Sequence, residues 1–287
     1  MGIIYGLVSG KGGVAKTTTT QNLLAGFHIQ EQSNWTYKLG DPIPQLEEDE
    51  SPADLGIDLD PSMNLTKGSG VQIETSDPSA HEMLLNPDYG IAYMLKRAGT
   101  GYDLVPSASS MDNIEQELNN DQVVGRDRLL DIALREAEGA KDYAVPWQAT
   151  KKYRRVFVDT PRNLGILAVN VLVASDVIFV PFQPEVYSDD AVDRLEERIA
   201  QVRRLKKSVD IHGVIITMYD ARLTLHQEVV RKMRNRFGEK VFKTMIPRNV
   251  RVAEAPAFRK SVIEYDPSSP GAIAYMNLVK EIKERHG

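Results

Sequence analysis

Between residues 9 and 18 the chain reads Ser-Gly-Lys-Gly-Gly-Val-Ala-Lys-Thr-Thr, and residues of these types at this spacing suit one task, the holding of a polyphosphate. Glycines let the backbone approach an anion, and successive N–H groups at the start of a helix point toward it. A lysine and a hydroxyl then add a cation and a metal ligand. Gly10, Lys11, Gly12, Gly13, Val14, Ala15, Lys16, Thr17 and Thr18 are therefore candidate nucleotide-binding residues. Lys16 is expected to reach the β- and γ-phosphate oxygens and Thr17 to ligate Mg2+. A glycine-rich turn that merely joins two elements would not need the lysine and both threonines in register. Ala15 stands where the general pattern has its second glycine, and its small methyl group is expected to be tolerated. Lys11 is a cation that an ordinary phosphate loop does not require, so by itself it reads equally as a solvated lysine.

Such a loop needs a strand before it and a helix after it. Ile3 to Val8 is a short apolar run, and Lys16 to Ile29 places Leu23, Leu24 and Phe27 at helical spacing. Apolar runs recur at Val156–Val158, Val177–Pro181 and Val214–Thr217, with helix-like stretches at Leu164–Val173, Asp189–Leu205 and Leu225–Phe237. Strands alternating with helices predict an α/β fold, a mostly parallel twisted sheet in three layers with helices on both faces. Ser269 to Arg285 predicts an amphipathic helix packed on that sheet, with Ala272, Tyr275, Met276, Val279 and Ile282 inward. Residues 33–53, with the cluster Glu47-Glu48-Asp49-Glu50, read as an acidic surface insertion, and Gly139 to Thr150 as a second irregular stretch. Neither is long enough to divide the chain, so residues 1–287 are expected to form a single domain.

Composition narrows the chemistry further. The 287 residues include no cysteine, which excludes disulfides, thiolate metal sites, iron–sulfur clusters and a cysteine nucleophile. No signal-like start and no run of about 18 apolar residues is present, so the expectation is a soluble cytoplasmic protein with no membrane partner. The net charge of -5 hides an asymmetry: residues 1–150 carry -13 and residues 151–287 carry +8. The basic half supplies either a phosphate-binding face or a set of solvated helix faces.

Taken together, Lys11-Gly12-Gly13-Val14-Ala15-Lys16-Thr17 resembles the K-G-G-x-x-K-[ST] signature of the ParA/MinD family of deviant Walker A ATPases. Asp58-Leu59-Asp60-Pro61-Ser62-Met63-Asn64 resembles that family's D-x-D-P-x-x-N switch, and Asp159-Thr160-Pro161 its Walker B segment. Pro181-Phe182-Gln183-Pro184-Glu185, Thr217-Met218-Tyr219-Asp220, Ile246-Pro247-Arg248-Asn249 and Ala253-Glu254-Ala255-Pro256 resemble ParA rather than MinD signatures and follow in the expected order. The resemblance implies ATP and Mg2+ as cofactors and a homodimer that forms with ATP, in which Lys11 of each subunit crosses to the other's nucleotide. It implies that Lys11, Lys16 and Asp60 are catalytic, Asp60 acting on the attacking water. Asp159 would hold the metal through a water, Asp58 would support the metal shell, and Met218 and Pro247 would lie beside adenine. Two departures stand out: Arg162-Asn163 occupies the place where many relatives have Pro-Ser, and the strand leading to Asp58 is poorly apolar.

The same resemblance implies nonspecific DNA binding on the nucleoid and a ParB-like adaptor that stimulates hydrolysis. Candidate DNA contacts are Arg248, Arg251, Arg259 and Lys260, and the cluster Arg203-Arg204-Lys206-Lys207. For the first group the competing role is support of the nucleotide site; for the second it is the placement of cations at a helix C-terminus. The function expected is plasmid or chromosome partition. Positioning of a protein assembly such as carboxysomes or chemoreceptor clusters is the alternative, and a MinD-like division regulator a more remote one, since residues 269–287 read as core.

Overall fold

The computed structural model describes residues 2–32, 54–119, 125–136, 152–186 and 188–286. The expected acidic insertion at 33–53 and the stretch at 139–150 lie outside the described residues. Seven strands form one sheet: β1 (Ile3–Leu7), β2 (Asp54–Asp58), β3 (Lys96–Arg97), β4 (Asp103–Val105), β5 (Arg155–Asp159), β6 (Val177–Phe182) and β7 (Gly213–Ile216), in the spatial order β3-β4-β2-β5-β1-β6-β7. All neighbours pair in parallel except β3 with β4. The helices used below are α1 (Lys16–Gln32), α2 (Asn64–Gly68), α3 (Ile166–Ala174), α4 (Ser188–Val202), α5 (Thr224–Phe237) and α6 (Pro270–His286).

Alternation along the strands sorts the interior into two cores, one on each face of the sheet. Ile4, Val156, Val158 and Val180 join α3 and α4 on one face, while Tyr5, Phe157, Phe179 and Ile215 join α1 and α6 on the other. This is the expected three-layer α/β arrangement. Helix α3 is buried along nearly its whole length because it is apolar all round, whereas α4 presents charged residues to solvent. Ser269 accepts a hydrogen bond from the Ala272 N–H at 3.2 Å and caps α6, whose Ala272, Tyr275, Val279 and Ile282 are buried as the periodicity predicts.

The poorly apolar strand is β2, and it is central rather than marginal. Asp54 is fully buried because Arg155 of the neighbouring strand pairs with it, and Gly56 sits where a Cβ would come within 2.8 Å of Leu104 and 2.9 Å of Leu24. The strand is therefore buried by pairing and close packing rather than by its own hydrophobicity.

Helix α1 also buries His28, whose Nε2 has no hydrogen-bond partner among the described residues. Burial, with the Arg97 charge second, holds this imidazole below its ordinary 6.5; burial likewise lowers His212 and His286. The folded state thus favours the neutral ring, so its stability is complete above pH 6.5 and falls as pH drops below that value. Urea unfolding across pH 5 to 8 is expected to show this acid loss, and His28→Gln to reduce its slope by up to about one proton. An unchanged slope in the variant would rule out His28 as a source.

Candidate functional site

Register brings the site together. Leu7 of β1 lies beside Asp159 of β5, and Asp159 beside Asp58 of β2, so the phosphate loop, the Walker B aspartate and the switch segment all leave the sheet at the same carboxyl edge. The loop runs from Ser9 to the first turn of α1. Gly13 adopts φ +77° and Ala15 φ +63°, both left-handed. The methyl group at Ala15 is thus accommodated, although that conformation costs an L-residue about 1 kcal/mol.

Lys16 is buried and its Nζ donates to Ser9 Oγ at 3.0 Å. Burial pushes its pKa down, while Asp159 and Asp60 oppose the shift. The Thr17 hydroxyl donates to Asp159 Oδ2 at 2.6 Å, and Asp159 Oδ1 is buried with no hydrogen-bond partner among the described residues. Burial, and then the charge of Asp58, raises the Asp159 carboxyl well above its ordinary range. An orphaned carboxylate oxygen beside a threonine hydroxyl is a donor set that fits a divalent cation, and these residues fit the triphosphate–Mg2+ unit that the loop implies. Among the described residues no three His, Asp or Glu side chains form a metal cage of their own, in keeping with an ion that retains waters and shares phosphate oxygens.

Asp58 and Asp60 divide their work. Asp58 Oδ2 accepts from the Thr66 N–H at 2.8 Å and from its hydroxyl at 2.7 Å, and Oδ1 accepts from the Asp60 N–H at 3.1 Å. Asp58 therefore organises the switch backbone and lies beside Asp159 of the neighbouring strand. Asp60 accepts from the Ser62 N–H and lines a cleft of about 520 Å³ together with Lys16, Thr17, Asn64, Lys67 and Arg162. Met218 lines the same cleft in a left-handed conformation at φ +50°. Pro247 lies one step away, bridged to Tyr219, while Pro256 and Ala257 join the lining. Gln21, Lys67 and Ala257 were not marked by any sequence pattern; the Gln21 side chain donates to the Gly68 carbonyl and couples α1 to α2.

Lys11 stands at the rim, about one-third exposed, with its Nζ 2.6 Å from Glu185 Oε2. The DNA candidates differ in how far their charges are already committed. Arg203 is taken up by the Val209 carbonyl and Asp210, and Arg251 by Glu254 and Asp266. Arg204, Arg248, Arg259 and Lys260 are exposed with no ion pair among the described residues. So are Arg231, Lys232 and Arg234 on α5, which sequence patterns did not mark because their helix reads as an ordinary amphipathic element.

Against known proteins, the chain is 32% identical over 283 residues to the chromosome partitioning protein ParA of Caulobacter vibrioides, covering 98% of this chain and 94% of that one. The chain belongs to the ParA family. Other relatives of the ParA family agree: the sporulation initiation inhibitor protein Soj of Bacillus subtilis is 31% identical with 98% of both chains covered, and the chromosome-partitioning ATPase Soj of Thermus thermophilus is 35% identical over 280 residues, covering 97% of this chain and 94% of that one. A family model described as an AAA domain matches residues 53–211. Among solved structures, cobyrinic acid a,c-diamide synthase of Mycobacterium smegmatis with bound ADP and magnesium aligns at a TM-score of 0.74 and 26% identity, covering 100% of this chain and 95% of that one. The ATP complex of a McdA variant from Cyanothece aligns at a TM-score of 0.76 and 18% identity, covering 99% of this chain and 96% of that one, which speaks for the fold alone.

Proposed function

We propose that this chain is an ATP-hydrolysing partition protein that binds ATP with Mg2+, dimerises on it and carries DNA cargo over nonspecific DNA. The observation that supports this most directly is the convergence of Lys16, Thr17 and Asp60 on one cleft, with Asp159 bonded to Thr17 behind it and Lys11 about one-third exposed on the same loop. When bound, Mg2+ draws charge from the phosphate oxygens and so eases cleavage of the terminal anhydride. The residues of the chain do the rest. The loop N–H groups and Lys16 hold the phosphates, Thr17 and Asp159 hold the metal, and Asp60 orients the attacking water. Lys11, once free of Glu185, supplies a cation to the partner's nucleotide, which makes assembly and chemistry one event. A cytoplasmic, nucleoid-associated location and an adaptor that triggers hydrolysis belong to the same reading. Among the described residues no helix is long and apolar enough to cross a membrane.

Duplex DNA binding with ATP, with ADP and without nucleotide, at two salt concentrations, tests the reading. Binding is expected only with ATP and to weaken steeply with salt. Replacing Arg231, Lys232 and Arg234 together by glutamine should reduce the salt slope by about two to three counterions. DNA binding that ignores nucleotide, or none in any state, would overturn the partition reading. An undiminished slope in the triple variant would move the DNA face to Arg248, Arg259 and Lys260.

A further inference from the structure

Arg162 has no part in the scheme above, yet it occupies the same cleft. It follows the Asp159-Thr160-Pro161 turn at the end of β5, is exposed, and lines the cleft beside Lys16, Thr17 and Asp60. Its stem lies across the phosphate loop: a Cβ built on Gly12 would come within 2.9 Å of Arg162 Cδ and 3.6 Å of Nε. The guanidinium is thus carried over the loop on the side that faces Lys16, close enough for its charge to oppose protonation of Lys16.

Among the described residues no carboxylate pairs with Arg162. Asn163 next to it donates to Glu115 at 3.4 Å, and Glu185 across the rim is engaged by Lys11 and Gln183. Three cations, Lys16, Lys67 and Arg162, line the cleft against one carboxylate, Asp60, which leaves it a surplus of positive charge. An anion shared by Lys16 and Arg162 answers that surplus, and the polyphosphate for which the loop is built is such an anion. A guanidinium also suits a terminal phosphoryl group better than an ammonium does, because its planar fork can engage two oxygens at once.

We propose that Arg162 is an intrachain phosphate-binding residue that contacts the terminal phosphate of the bound triphosphate and distinguishes ATP from ADP. The proposal rests on the ATP reading above and deepens it. Lys11 answers the same charge only when a second subunit is present, whereas Arg162 is carried on the same chain as the loop. Discrimination between triphosphate and diphosphate is therefore present in the monomer and does not await dimerisation.

The test is titration of Mg2+ complexes of ATPγS and ADP against wild type, Arg162→Gln and Arg162→Lys, below the concentration at which dimers form. The same titration in a Lys11→Ala background removes any contribution from the partner. Arg162→Gln is expected to weaken ATPγS binding about 10- to 100-fold and to leave ADP binding within about twofold, in both backgrounds, with Arg162→Lys recovering part of the loss. Unchanged affinity for both nucleotides, or an equal fall for both, would overturn the proposal. Wild type that binds neither nucleotide would instead remove the ATP reading on which the proposal stands.

Discussion

Lys11→Ala will still bind ATP with Mg2+ to within about threefold of wild type and will lose ATP-dependent dimerisation by about 100-fold or more in dissociation constant. The asymmetry follows from where the side chain sits. Lys16, not Lys11, is buried against Ser9 and lines the cleft, so the cleft keeps its own cation when Lys11 is removed. Lys11 is at the rim and its partner in the single chain is Glu185, both groups being one-third to nearly one-half exposed. An ion pair that open to water is worth under about 1 kcal/mol, too little to keep Lys11 from the concentrated negative charge of a nucleotide on a second subunit. Glu185→Ala is therefore expected to dimerise as well as wild type or up to about fivefold more tightly. Sedimentation with a nonhydrolysable ATP analogue separates the outcomes: equal dimer formation by wild type and Lys11→Ala would sink the intersubunit role.

Much of this site was legible in the residues themselves, because short-range chemistry determines it. The phosphate loop, Thr17 and the aspartates at 58, 60 and 159 sit at strand ends, and a parallel sheet places strand ends together. Strand β1 and the inward face of α6 follow from the apolar pattern alone. What that pattern could not supply depends on partners distant in the chain. β2 reads as polar until Arg155 is placed against Asp54, 101 residues away. β4 is three residues long and rests on its pairing with β2, so no window of sequence marks it. Gln21 and Lys67 reach the cleft only because α1 and α2 pack together. Arg231, Lys232 and Arg234 of α5 carried no motif, and what sets them apart from Arg236, which Asp193 and Glu196 engage, is that they make no ion pair among the described residues, a property of the surface.

The Arg155–Asp54 pair also carries the largest expected stability effect. Asp54 is fully buried, Arg155 Nε is 2.5 Å from its Oδ1, and Arg155 Nη2 is 3.1 Å from its Oδ2, a two-pronged contact between charged groups. Arg155 Nη1 holds Glu31 at 2.7 Å, and the guanidinium lies 4.3 Å from the centre of the Phe27 ring. One arginine thus fixes two central strands and α1 together. Although burial alone would raise it, the Arg155 hydrogen bond and charge keep the Glu31 carboxyl below its ordinary range. Arg155→Met preserves most of the stem's packing but leaves Asp54 unpaired inside the sheet, where burial already pushes its carboxyl up to about 6 and loss of the arginine drives it toward the neutral acid, so the expected loss is about 3–5 kcal/mol. Urea unfolding at neutral pH measures it as a lower midpoint at unchanged slope. The double variant Asp54→Leu, Arg155→Met tests the cause. If the cost is the stranded carboxyl rather than lost packing, the second substitution restores most of the stability, because a buried pair gives little net gain over apolar residues of similar volume. A single-variant loss below about 1 kcal/mol would mean that water reaches Asp54 once the arginine is gone, and that β2 is held in the sheet by its backbone pairing and the close fit of Gly56.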